Sequence, residues 1–324
     1  MDIQHAYLAL SLRMNHSDCF DPFLGDAISH VRWYYAKWVE RHIKEAQDDG
    51  QSSRTHFNQI PPITSAAVAT MLIKLSYATA LLSLCLPAQA TQIFRNTGTT
   101  SGWDSTNQEH SGSVQEVSNV VYKGSTALKM IQIYDPSWTG RYHSEVVKNN
   151  VYKRGDTGFY GFAFRLQENW QFSPAQSYNI AQFIADFSDT GCDDYMPSSM
   201  VWLVGNQLYT RVKQGTICAQ KIQTFPNLAT VSAGVWHKIV IQASWKTDGT
   251  GYYKMWFDGT KVLEQYNIDT TIADDRAFQF RVGLYANGWY DDKGMKGTQG
   301  TRQVWVDQIA AGSTFADADP DQWS

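Results

Sequence analysis

The sequence predicts an all-β fold, two packed antiparallel sheets forming a sandwich or jelly roll. Three observations carry that reading. From Thr91 onward, apolar residues recur with period two, the spacing of half-buried strands. Gly, Asn and Asp turn signals separate these runs at short intervals, as in sheet proteins with many short strands. No helix-period segment of useful length follows residue 91, and no internal repeat points to a propeller or solenoid.

In "GRYHSEVV" (140–147), Tyr142, Ser144 and Val146 share one face, and Arg141, His143 and Glu145 share the other. "FYGFAFRL" (159–166) aligns Tyr160, Phe162, Phe164 and Leu166. "IAQFIADF" (180–187) sets Gln182, Ile184 and Asp186 against Ala181, Phe183 and Ala185. "MVWLVGNQLYTRV" (200–212) reads as a hairpin around Gly205-Asn206. "WHKIVIQASW" (236–245) alternates at its start, and "YYKMWFDGTKVLEQY" (252–266) is a second hairpin around Asp258-Gly259, a strong two-residue turn signal. In "FQFRVGLYAN" (278–287), Phe280, Val282 and Leu284 form the core face, which leaves Arg281, Gly283, Tyr285 and Asn287 together opposite. "RQVWVDQIAAG" (302–312) is the last strand.

The residues before Thr91 have another character. "MLIKLSYATALLSLCLPAQA" (71–90) reads as a secretory signal peptide, with Lys74, an apolar run and Ala88-Gln89-Ala90 as the cleavage site. Residues 1–70 hold five of the eight histidines. Within them, 26–46 carries helical spacing, and the polar stretch 47–70 reads as disordered. Because a signal peptide belongs at an N-terminus, 1–70 is expected to be a mis-annotated or disordered extension, with Met71 as the true initiator. The expected mature chain is a single all-β domain, 91–324, acting outside the cell.

The run Leu75–Leu86 is too short to span a bilayer, which takes about 20 residues. The formal net charge of −4 gives no general attraction to nucleic acid or anionic lipid. Of the four cysteines only Cys192 and Cys218 follow residue 90, and a single pair in a secreted chain predicts a disulfide. No cysteine and histidine cluster has zinc spacing.

The polar faces of 140–147, 180–187 and 278–287 nominate a site. Together they offer two guanidinium groups, an imidazole, a phenol, an amide and a carboxylate. Each has a plainer reading: Arg141 with Glu145 as a solvated cross-strand pair, His143 as a structural histidine, Tyr285 as sheet-edge packing. His237 reads as structural, and His110 has no assigned role. Ten tryptophans follow residue 90. Most belong to a core, but Trp138, Trp170 and Trp289 lie near turns and are candidates to stack on sugar rings.

A glycosidase needs two carboxylates flanking one bond. Only five glutamates follow residue 90, and none alternates with another carboxylate on one strand. A serine-hydrolase elbow is also missing. The polar set suits β-elimination on a uronic-acid polymer. Arg281, Gln182 and His143 would stabilise charge on the sugar carboxylate. Tyr285 or His143 would take the C5 proton and protonate O4. A free phenol titrates near 10, so Tyr285 is expected to need a cation such as Arg281 beside it.

"FRVGLYAN" resembles the Lys/Arg-x-Gly-x-Tyr strand of the jelly-roll polysaccharide lyases, the broad group of alginate and heparin lyases. "GRYHSEVV" and "AQFIADF" are similar to that group's cleft strands. Across nearly all of 91–324 the chain resembles the fungal endo-β-1,4-glucuronan lyases of polysaccharide lyase family 20. The resemblance implies a concanavalin-like β-jelly roll with a concave cleft, acting on β-1,4-linked polyglucuronate. It implies a catalytic role for Tyr285, carboxylate neutralisation by Gln182 and Arg281, and a base or neutralising role for His143. Arg141, Glu145, Asn287, Trp289 and Tyr290 are the expected substrate-binding neighbours. The alginate lyases' Gln-x-His triplet is not kept, since Phe183 and Ile184 follow Gln182. The division of labour among Tyr285, His143 and Tyr290 therefore stays open. Relatives often hold a structural calcium, for which Asp307 is a candidate ligand, a solvent-facing aspartate being the alternative. No organic cofactor is implied. The expected partner is an anionic polyuronide bound by a monomer. The competing readings are a glycan-binding module without chemistry, a lyase on another polyuronide such as alginate, and a glycoside hydrolase.

Overall fold

The computed structural model describes residues 92–322, which fall within one compact unit, Ala90–Ser324. The readings made for 1–70 and for the signal peptide 71–90 lie outside the described residues.

Among the described residues fifteen strands account for the fold. The first five are β1 (Gln92–Asn96), β2 (Ser105–Gln108), β3 (Ser113–Val117), β4 (Ala127–Ile133) and β5 (His143–Tyr152). The next five are β6 (Thr157–Leu166), β7 (Ser177–Asp186), β8 (Tyr195–Val204), β9 (Gln207–Thr216) and β10 (Ala219–Phe225). The last five are β11 (Trp236–Ser244), β12 (Gly251–Phe257), β13 (Thr260–Ile268), β14 (Phe278–Tyr285) and β15 (Thr301–Gly312). Two short helices, α1 (Asn287–Asp291) and α2 (Phe315–Ala318), follow β14 and β15.

One sheet has eight strands in the order β13-β12-β11-β6-β15-β4-β3, with β1 also on β15. The other has seven, β10-β9-β8-β7-β14-β5-β2. Hairpin neighbours alternate with pairings far apart in sequence, β11-β6-β15-β4 in one sheet and β7-β14-β5 in the other, as a jelly roll requires. The alternation read from the sequence sets the core. Tyr160, Phe162, Phe164 and Leu166 of β6 meet Phe280, Val282 and Leu284 of β14, all essentially inaccessible. Phe183 of β7 stacks on Phe280 at 4.9 Å and meets Tyr160 edge-on at 4.8 Å. Such aromatic pairs add about 0.5–1.5 kcal/mol beyond their buried area.

Both predicted hairpins form. Asp258 and Gly259 take φ 49° and 81°, the positive pair of a type I′ turn, and Gly205 opens the β8–β9 turn at φ 59°. The disulfide joins Cys192 and Cys218, with Cα atoms 5.1 Å apart. It ties the segment before β8 to the β9–β10 turn, and a loop of this size stabilises by about 3 kcal/mol in the chain-entropy model. His237 is structural as expected: Nδ1 lies 2.7 Å from Asp258 Oδ2, and Nε2 accepts from the Ser232 N–H at 3.1 Å.

Three expectations need correction. Trp170 and Trp289 are buried at 5% and 2% exposure, so neither can stack on a sugar. Trp289 sits edge-on to Tyr134, Tyr142 and Tyr178, and Trp170 packs against Tyr178 and the Arg302 guanidinium. Asp307 is not solvent-facing but fully buried. Its Oδ2 accepts from the Tyr122 and Lys123 N–H groups and its Oδ1 from that of Gln308, so it fastens a loop to β15. Among the described residues no group of three His, Cys, Asp or Glu could hold an ion.

Candidate active site

The face of the seven-stranded sheet turned away from the core carries an open cleft of about 930 Å3. Its centre is made where β5, β14 and β7 run side by side. Register pairs Tyr285 with His143, Gly283 with Glu145 and Arg281 with Gln182. Because side chains alternate along a strand, these residues share the cleft face while their neighbours fill the core.

Gly283 makes this closeness possible. A Cβ there would lie 2.3 Å from the Ser144 carbonyl oxygen and 2.8 Å from Glu145 Cα, inside any real contact distance. Its φ of 150° is also one that other residues rarely adopt. β14 thus approaches β5 closely at Gly283, two residue pairs from the catalytic candidates Tyr285 and His143.

The Tyr285 hydroxyl oxygen accepts a hydrogen bond from Arg141 Nη1 at 2.7 Å. Arg141 is therefore the cation at this phenol, in place of the expected Arg281. Burial raises the Tyr285 phenol to about 12, against the charge and hydrogen bond of Arg141. Arg141 precedes β5, and its guanidinium also covers the ring of Tyr290 at 4.5 Å. Nearby, the Trp138 indole donates to the Arg141 carbonyl at 2.9 Å and stacks on His110 at 4.8 Å. Trp138 is 39% exposed and keeps its candidacy as a sugar platform.

The imidazole of His143 stacks on the Tyr285 ring at 3.8 Å. Its Nδ1 lies 2.7 Å from Glu109 Oε2, and its Nε2 lies 3.9 Å from Glu145 Oε2. Glu109, just past β2, escaped the sequence reading because no strand alternation surrounds it. Its position beside His110, among only five glutamates after residue 90, was the available signal. Its carboxyl is held below the ordinary value. Burial opposes ionisation, but the hydrogen bond and charge of His143 outweigh it.

Gln182 Nε2 donates to both oxygens of Glu145, at 2.8 and 3.1 Å. Glu145 is fully buried, so the solvated Arg141–Glu145 pair does not form, and Glu145 supports Gln182 from beneath. Arg281 donates through Nε and Nη2 to Gln279 Oε1 at 2.9 and 2.7 Å and lies over the Tyr195 ring at 5.2 Å. Asn287 is not on the strand as expected. β14 ends at Tyr285, and Asn287 opens α1, where its side chain bonds Ser177 and Asp291 at the cleft edge. Trp289, a predicted binding residue, lies in the core, whereas Tyr290 is 40% exposed.

The cleft thus presents a protonated phenol beside a guanidinium, an imidazole oriented by a carboxylate, and further cationic and amide donors. That set can take a proton from carbon, offset the charge left on a carboxylate, and return the proton to a leaving oxygen.

Residues 95–310 match the family described as "Polysaccharide lyase". No curated protein matches the chain. Among solved structures, an endo-β-1,4-glucuronan lyase from the fungus Trichoderma reesei is 60% identical with a TM-score of 0.71, over 72% of this chain and 100% of that one. A cellulose-induced protein is 16% identical, TM-score 0.45, over 68% of this chain and 97% of that one. An alginate lyase from Aplysia kurodai is 8% identical, TM-score 0.47, over 69% and 100%. These last two are too remote to bear on function. With the family match running from β1 into β15 and enclosing every residue of the cleft centre, the chain belongs to the polysaccharide lyase family.

Proposed function

We propose that the chain is an endo-acting lyase that cleaves β-1,4-linked polyglucuronate by β-elimination. The observation that carries this reading is Tyr285, hydrogen-bonded to Arg141, stacked on His143 and standing one strand from Gln182. The similar Trichoderma reesei enzyme, named for glucuronan, supports the substrate.

In a β-1,4-linked glucuronate the C5 proton and the departing O4 lie on the same side of the ring, so one group can serve both. Tyr285, as the phenolate that Arg141 stabilises, takes the C5 proton. The C5–H electron pair forms the C4=C5 double bond as C4–O4 breaks. The phenol then returns its proton to O4, which stays on the neighbouring sugar as a hydroxyl. No water is consumed. Arg281, with Gln182 and His143, offsets the charge that builds on the sugar carboxylate.

Incubation with polyglucuronate tests the reading. A rise in ultraviolet absorbance from the new double bond, with an early fall in viscosity, is the expected result. Reducing ends without absorbance would mean hydrolysis. Binding with neither would mean a glycan-binding module, and preference for alginate in a polyuronide panel would move the substrate. We also propose that the enzyme is a secreted monomer, from the signal-peptide pattern of 71–90. Peptides from 1–70 in secreted material would overturn the processing scheme, and light scattering would check the monomer.

A further inference from the structure

The cleft floor carries two cations that the reaction above does not use. Arg211 and Lys213 alternate along β9 on the face that lines the cleft. Among the described residues neither forms an ion pair. Lys213 Nζ donates to the neutral Gln220 Oε1 at 2.6 Å. Arg211 Nε is buried without a hydrogen-bond partner, and its guanidinium lies 5.9 Å from the centre of the Trp202 ring. Burial, then the charge of Arg211, push the Lys213 ammonium down to about 8, with Asp193 opposing. Two like charges drawn out of water side by side are costly unless an anion offsets them.

Their position says which anion. Register runs Arg281 to Gln182, Gln182 to Met200, and Met200 to Arg211. Arg211 therefore lies in the same row as Arg281, three strand spacings away, or about 14 Å. Trp202, two residues from Met200, lines the same stretch of cleft. One sugar ring cannot bridge that distance, whereas an extended polymer crossing the strands can.

We propose that Arg211 and Lys213, with Trp202 as an apolar floor, form a distal subsite for the carboxylate of a uronate beyond the pair that flanks the broken bond. This rests on the reading of the chain as a polyuronide lyase. It makes the enzyme favour long chains with a carboxylate on every ring, because the distal contact adds affinity that a short oligomer cannot use.

The test uses oligouronides of defined length prepared from polyglucuronate. kcat/KM is measured for the polymer and for the shortest oligomer cleaved, with Arg211→Gln, Arg211→Lys, Lys213→Met and the Arg211→Gln/Lys213→Met double variant. In the double variant the polymer-to-oligomer ratio should fall roughly tenfold, the loss expected of a charge-assisted contact, through a higher KM. Arg211→Lys should recover most of the loss of Arg211→Gln. A ratio within threefold of the unmodified enzyme's, or no recovery in Arg211→Lys, overturns the subsite. Thermal melts check folding, and if Arg211→Gln does not fold, Lys213→Met alone reads the same ratio. An unmodified protein that releases no unsaturated product from polyglucuronate refutes the parent reading. Normal cleavage with an unchanged ratio in the variants refutes only the subsite.

Discussion

Replacing Glu109 with Gln asks whether a charge holds the His143 imidazole in place. Glu109 Oε2 lies 2.7 Å from His143 Nδ1, and the substitution keeps an oxygen acceptor while removing the charge. Hydrogen bonds to charged groups contribute about 1.5–3 kcal/mol net, and charge roughly doubles the strength of such a bond. The Glu109 side chain is 33% exposed, so solvent screening argues for the low end, a loss of about 1 kcal/mol. Expressed in the transition state, this lowers kcat roughly fivefold, since 1.36 kcal/mol corresponds to tenfold. KM should change less than kcat, because Glu109 acts through His143. Stability supplies an independent signature. The Glu109 carboxyl is lowered in the folded chain, so its stabilisation is complete above the unfolded value, about 4.3. It is lost as pH falls through the lowered folded value. The melting temperature of the unmodified protein should therefore exceed that of Glu109→Gln near neutrality, and the gap should narrow in acid as the carboxyl is protonated. Initial rates from ultraviolet absorbance and thermal melts at the two pH values measure both effects. An unchanged kcat, or a melting gap that persists in acid, would refute the charge-held imidazole.

Tyr285→Phe should lower turnover by at least about 100-fold, the range of a general acid or base, with polymer binding retained in affinity electrophoresis. Larger residual turnover would move the role to His143 or Tyr290. With Tyr285 raised to about 12, the phenolate fraction grows as pH rises, so kcat/KM should climb through the alkaline range by about tenfold per pH unit. A flat profile between neutrality and pH 10 would hand the base role to His143. Gly283→Ala should cost about 1–3 kcal/mol, as overpacking does, because the new Cβ meets the backbone of Ser144 and Glu145. An unchanged melting temperature would contradict the close approach of β5 and β14. Trp289→Ala should cost about 3–5 kcal/mol of stability, and an unaltered melt with weakened polymer binding would restore Trp289 as a sugar platform.

The elements legible in the sequence are those whose two faces meet different surroundings. β6 and β14 lie at the middle of their sheets, where one face packs on the core, and their alternating apolar residues announce it. β2 (STNQ) and β3 (SVQEV) are mostly exposed or half-buried. They exist because β5 and β4 offer unpaired backbone groups, so no apolar pattern marks them. The site divides in the same way. Alternation puts Arg281, Tyr285 and His143 on one face, because a face is a local property of a strand. It does not say that Arg141, from the loop before β5, reaches the Tyr285 hydroxyl while Arg281 turns to Gln279. Partners depend on how loops close over the sheet. Trp289 shows the cost of treating a turn as exposed: the chain after β14 coils into α1, and Gly288 packs against the Ser177 backbone. That contact turns the indole inward against Tyr134, Tyr142 and Tyr178. The exposed rings there are Trp138 and Tyr290, flanking the Arg141 that donates to the Tyr285 phenol. Residues of the segments before β5 and after β14 therefore supply both the cation that opposes burial at the Tyr285 phenol and the rim of the cleft.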